Sequence, residues 1–245
     1  MQHTASKHAR YLLPGLLLGL LLGTANAHQI WLEPEGTRLN LHFGEYHENL
    51  KETSPGLLDR VPAPAVLVLQ DGTAKTAAAV KGKEGYALDT AAGSQRHVVA
   101  EVRNYPVREL KQGETITRSK WIAAARFAPD ASAQSARNLL DIVPNGAPGK
   151  FRVFFRGQPL AKVKVEMVAP NGWRKEASSN ADGEFELQPL WRGVYVLEAA
   201  HKEVVAGEVD GEKYDAASFT SSLTIVNTNG PATERPAAAT PHQMK

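Results

Sequence analysis

The sequence predicts a mainly β fold built from two β-sandwich domains. Three observations carry that prediction. Short apolar stretches alternate with period two; Gly, Pro, Asn and Asp punctuate them at intervals of about ten residues; and sustained helical periodicity is nearly absent.

The first element is of a different kind. Lys7 and Arg10 precede the apolar run from Tyr11 to Gly23, and Thr24-Ala25-Asn26-Ala27 follows it. A charged segment, a hydrophobic segment and an A-x-A site in that order predict a signal peptide over 1–27, cut after Ala27, and hence a periplasmic location. The run is too short and too rich in glycine for a spanning helix, so no membrane span is expected once it is removed. With no cysteine after it, a lipoprotein-type anchor is excluded.

Cleavage leaves 218 residues that begin at His28, with 26 basic against 26 acidic side chains. A balanced chain has no electrostatic reason to hold nucleic acid. The lack of cysteine excludes disulfides, thiolate metal sites and cysteine nucleophiles, so packing alone must hold the core.

Residues 28–145 read as an N-terminal β domain. Leu39-Asn40-Leu41-His42-Phe43 alternates, Val66-Leu67-Val68-Leu69 stops at Gln70-Asp71-Gly72, and His97 to Val102 forms a further strand. Thr117 to Phe127 is the exception: Trp121, Ala124 and Ala125 at helical spacing among good helix formers predict a short helix or an irregular connection. Pro144-Asn145-Gly146-Ala147-Pro148-Gly149 then reads as a linker or domain edge. Residues 146–228 form the second sandwich, with Lys150 to Phe155, Leu160 to Val168, Glu184 to Leu187 and Val194 to Ala199 as strands between turns. Residues 229–245 hold almost nothing to bury and are expected to be a disordered tail.

Two resemblances add to this reading. Residues 157–199 carry G-x-P-L-A-x-x-x-V, then D-G-x-F-x-L, then L-x-x-G-x-Y-x-L-x-A, and resemble the Ig/transthyretin-like or carboxypeptidase-regulatory-like sandwich. Such modules carry no chemistry of their own. Ala27-His28-Gln29-Ile30-Trp31-Leu32-Glu33-Pro34, then Phe43-Gly44-Glu45, Leu140 to Pro144, Gly211 to Asp215 and Ser221 to Ile225, resemble a periplasmic family of unassigned biochemical function that is linked to nickel or cobalt uptake. That resemblance covers about 28–227; the stretch 111–120 matches it only loosely.

His28 is the residue with the most chemical potential. Cleavage after Ala27 gives it a free α-amine beside its own imidazole, a chelate from one residue that suits Ni(II) or Cu(II). The segment His42-Phe43-Gly44-Glu45-Tyr46-His47-Glu48 is the densest collection of ligand-type residues, and it nominates His42, His47, Glu45 and Glu48 to complete a site for a divalent transition metal (Ni, Co or Cu). Against that stands the ordinary reading of His42 and His47 as polar residues on a solvated strand and turn. His97 and His201 read as structural, and His242 falls in the tail. Trp31 and Trp191 suggest a sugar-stacking surface, with core packing as the simpler alternative.

No nucleophile elbow, H-E-x-x-H motif or phosphate-cradling loop is present, so the chain is not expected to be an enzyme. The expected function is a periplasmic metal-binding accessory protein serving an envelope metal-uptake system. The alternatives are a structural or interaction module that docks on an envelope partner, and a copper oxygenase with a histidine brace.

Overall fold

The computed structural model describes residues 28–36, 38–70, 72–91, 96–209 and 211–242; the expected signal peptide lies outside them. In chain order the strands are β1 (Gln29–Glu35), β2 (Arg38–Glu45), β3 (Leu50–Lys51), β4 (Ala65–Gln70), β5 (Thr73–Ala77), β6 (Ala79–Lys81), β7 (Tyr86–Ala91) and β8 (His97–Val102). There follow β9 (Arg108–Gln112), β10 (Thr115–Ala128), β11 (Leu140–Pro144), β12 (Lys150–Phe155), β13 (Gln158–Pro159) and β14 (Lys164–Val168). The last are β15 (Arg174–Ser178), β16 (Glu184–Glu186), β17 (Gly193–Glu203), β18 (Gly207–Val209), β19 (Glu212–Tyr214) and β20 (Ala216–Asn227). The chain is mainly β, and its sheets pack face to face in the manner of sandwiches.

Among the described residues three larger sheets are layered, besides the two-stranded β18-β19 sheet. An outer sheet runs β1-β2-β7-β6 with β3 on β2; a central sheet runs β15-β14-β17-β20-β10-β8-β4-β5 with β9 on β10; a second outer sheet runs β11-β12-β13 with β16 on β12. Ile30, Leu32, Leu39 and Leu41 of the first sheet pack on Val98, Ala100, Ala123 and Phe127 of the central one. On the other face, Tyr195, Leu197, Phe219 and Leu223 pack on Leu140, Ile142, Phe151 and Val153. The two sandwiches therefore share their middle sheet.

This sharing decides what the Pro/Gly-dense segment at 144–149 is. β11 and β12 on either side of it pair antiparallel, Pro144 opposite Phe151, so the segment is a hairpin turn inside one sheet. The expected boundary between 145 and 146 falls within that hairpin. Local turn chemistry is the same in a hairpin and a linker, and only tertiary pairing tells them apart: β10 also pairs with β20 in parallel, Ser119–Ala128 against Ala216–Ile225, so the halves share a sheet.

The helix or irregular connection expected over Thr117 to Phe127 is instead the middle of strand β10. Trp121, Ala123, Ala125 and Phe127 face one core, while Ile122 and Ala128 face the other. A strand covered on both faces loses the polar-apolar alternation that marks a strand in sequence. Arg126 is fully buried on this strand and forks onto Asp141, with Nε donating at 3.1 Å and Nη2 at 2.6 Å.

Beyond β20 the chain forms no helix or strand through His242, and within the expected tail 229–245 the stretch 231–242 makes contacts with the rest of the chain. Its backbone accepts a hydrogen bond from Arg192 N at Pro231 and one from Asn49 Nδ2 at Pro236, both 2.9 Å. Arg235 pairs with buried Glu33 and lies 4.9 Å over the Tyr46 ring. The tail buries little of its own, so composition cannot reveal partners that another part of the chain supplies.

Candidate metal centre

The site grows from one edge of the first sheet. β1 and β2 pair with Gln29 opposite Gly44, so the next step along the ladder sets His28 opposite Glu45. Beyond Glu45 the chain makes a 3-10 turn over Tyr46–Glu48 and leaves it through Asn49 in the left-handed region, φ 50°. β3 then returns along β2, with Lys51 opposite Gly44 and the Glu52 amide donating to the Phe43 carbonyl at 2.8 Å. Gly44 makes this close return possible: a Cβ there would stand 2.2 Å from the Leu50 carbonyl oxygen.

The fold thus gathers His28, Glu45 and Glu52 although Glu52 is 24 residues from His28. A carboxylate faces each ring nitrogen of His28. Nε2 donates to Glu52 Oε1 at 2.6 Å, and Nδ1 lies 3.3 Å from Glu45 Oε1. The imidazole of His242, carried in by the tail, reaches the same Glu52 oxygen through Nδ1 at 2.5 Å, and its amide donates to the other oxygen at 3.0 Å. Burial pushes the Glu52 carboxyl up, but hydrogen bonds from His28 and His242 outweigh it and hold the group below its ordinary value.

Glu45 is in a different condition. Its side chain is 3% exposed and neither oxygen receives a well-formed hydrogen bond. His28 Nδ1 stands 3.3 Å from one oxygen and His47 Nε2 4.0 Å from the other. The same region already holds a carboxyl that resists ionisation: burial, together with the charges of Glu166 and Glu45 and against the pull of Arg174, pushes Glu198 up to about 8.

The ligand-type residues nominated from sequence divide into two groups. His28, Glu45, His47 and Glu48 lie together, with His47 Nε2 3.5 Å from Glu48. His42 does not join them. It is buried on the far side of its strand, with Nδ1 2.7 Å from the Glu84 carbonyl, Nε2 2.8 Å from Glu35 and its ring 5.5 Å from that of Trp31. Both its nitrogens are engaged, and the solvated position expected for it is covered by the 82–85 loop. The hydrogen bond from His42, aided by Lys51 against the effect of burial, holds Glu35 well below the usual carboxylate range.

The aromatic pair is also separated. Trp31 is fully buried between His42 and Tyr46 and donates through Nε1 to Glu33 at 3.0 Å, so no sugar face can reach it. Trp191 belongs to the core on the opposite side of the central sheet and meets Trp173 edge-on at 5.6 Å. His97 is buried against Ser132, and His201 packs against the Phe155 ring, as structural residues do.

Glu52 and His242 were not nominated from sequence. Asn49 is a visible signal that the chain reverses there, which would bring Glu52 back toward Phe43. His242 carries no such signal, because the Arg235–Glu33 and Asn49–Pro236 contacts that hold the tail join residues nearly two hundred positions apart.

Comparison with known proteins covers the resemblance seen in the sequence up to residue 203, short of the stretches 211–215 and 221–225. A family model described as a domain of unknown function (DUF4198) matches residues 25–203, and the chain belongs to that family. No curated protein and no solved structure gives a match.

Proposed function

With membership of this family as the premise, we propose that the chain is an exported, periplasmic, non-catalytic protein that binds a divalent transition metal and serves a metal-uptake system of the envelope. The observation that carries the reading is the buried, donor-free carboxylate of Glu45 beside His28 Nδ1. Nδ1 is the ring nitrogen that closes a six-membered chelate with the α-amine of an N-terminal histidine. A buried carboxylate without donors is costly unless a cation neutralises it.

The residues fit such an ion. His28 supplies two nitrogens once signal cleavage frees its amine, Glu45 supplies oxygen, and His47 stands on the far side of the Glu45 carboxylate. Glu52 takes the proton of the opposite ring nitrogen, the carboxylate–histidine support common around ligating imidazoles, and His242 braces Glu52 in turn. Nitrogen-rich donors of this kind favour Ni(II) and Cu(II) over Mg(II) or Ca(II). The bound ion would bring positive charge to the buried carboxylates Glu45 and Glu52. Among the described residues no helix is long and apolar enough to cross a membrane.

Isothermal titration of Ni(II), Co(II), Cu(II) and Zn(II) into the mature protein tests this, beside a version with one alanine added before His28. One-to-one binding that the extra alanine weakens at least tenfold, about 1.4 kcal/mol, is the expected result. Equal or absent binding in both forms overturns the reading.

A further inference from the structure

A cleft of about 440 Å³ opens beside His28, within the size range of small-molecule sites. Its walls are aromatic. Phe43, Tyr105 and Trp121 line it, with the Tyr105 and Trp121 rings edge-on at 4.6 Å and Phe43 6.2 Å from Trp121. Trp121 is fixed by a hydrogen bond from its Nε1 to Thr220 Oγ1 at 3.1 Å, so the wall is held in place before any ligand arrives.

The charged side chains that line this cleft are both arginines. Arg60 and Arg108 line it, and no residue lining it is acidic. Arg60 ends the 3-10 turn Leu57–Arg60, and Arg108 lies 5.9 Å over the Tyr105 ring. Among the described residues, neither guanidinium has a carboxylate within ion-pair distance, although most other arginines near acids in this chain, such as Arg103, Arg126, Arg156 and Arg235, do. Two free guanidinium groups at an aromatic cavity make a recognisable pairing: the planar forks hold a carboxylate, and the rings take the apolar body attached to it.

We propose that this cleft binds a small organic carboxylate with an aromatic or alicyclic body, the carboxylate on Arg60 and Arg108 and the ring against Trp121 and Tyr105. A lone inorganic anion would leave the aromatic wall unused, and an uncharged ring would leave both arginines unpaired. His28 lines both this cleft and the proposed metal centre, so the proposal is tested on protein free of metal.

The test uses the mature protein freed of metal by chelator, titrated calorimetrically with naphthalene-2-carboxylate and, in parallel, with its uncharged amide. One-to-one binding of the carboxylate at least tenfold tighter than that of the amide is expected, and Arg60→Gln with Arg108→Gln should abolish that preference while leaving the amide unchanged. Both arginines are exposed, and an unchanged thermal transition will verify that the double variant is folded. Equal affinities for carboxylate and amide in the wild-type protein, or no binding of either at millimolar concentration, would overturn the proposal without reference to any variant. Because no metal is present, that failure is separate from a failure of the metal titration.

Discussion

Two buried carboxylates in this molecule are surrounded in opposite ways. Asp141 is fully buried and accepts two hydrogen bonds from the Arg126 fork, then two more from the backbone amides of Arg137 and Asn138 at 2.8 and 3.2 Å. Glu45 is as deeply placed at the edge of the first sheet and receives none of good geometry. A carboxylate given its full set of donors has its charge answered within the fold, and its task is to join the central sheet to the β11 sheet. A carboxylate denied them beside a histidine is the feature on which the proposed metal site rests.

The strongest way to break this comparison is to remove the answered charge. Asp141→Ala leaves the Arg126 guanidinium buried without its partner, and should lower stability by about 3–5 kcal/mol in urea unfolding. A loss below about 1 kcal/mol would mean that water or rearrangement satisfies Arg126 and that the pair is not the junction described.

Glu45→Gln sharpens the other side. In chelator-treated protein the change removes an unanswered buried charge and should raise stability by about 1 kcal/mol. The same change should weaken metal binding at least tenfold by calorimetry. Opposite signs in the two measurements are the mark of a carboxylate kept for a ligand; a loss in both would make Glu45 a structural residue.

The smallest effect belongs to the tail. Glu33 is buried, which pushes its carboxyl up, but Arg235, Lys51 and Trp31 outweigh burial and hold it below 4.5. A carboxyl lowered on folding contributes stability that is complete above the unfolded value near 4.5 and is lost as pH falls through the folded value. Arg235→Ala should therefore cost about 1 kcal/mol at pH 7, since Arg235 remains partly exposed. That difference should shrink toward zero in melts recorded at successively lower pH below 4.5. A difference that persists at acid pH would assign the Arg235 contribution to its packing on Tyr46 instead.

Much of the fold was legible in the chain itself. Alternation in Leu39-Asn40-Leu41 and turn chemistry at Asn171-Gly172 and Asp182-Gly183 place strands and reversals locally, because side-chain periodicity and left-handed backbone need no distant partner. His28, Glu45, His47 and Glu48 were legible as a group for a similar reason, since all but His28 fall on one strand end and its following turn. His42 was not. Its place in a series of ligand-type residues suggested company, but the pleat sends it to the other face, where Glu84 and Glu35 take its nitrogens.

What the sequence determined by itself was the β character, the strand and turn punctuation and the lack of cysteine chemistry. Tertiary structure alone decided that β10 is a strand buried on both faces, that the two sandwiches share one sheet, and that Glu52 and His242 converge on His28. The physical reason is range. Dihedral preferences and burial periodicity act between neighbours, whereas sheet order and the neutralisation of buried charge depend on residues that meet only when the chain has closed.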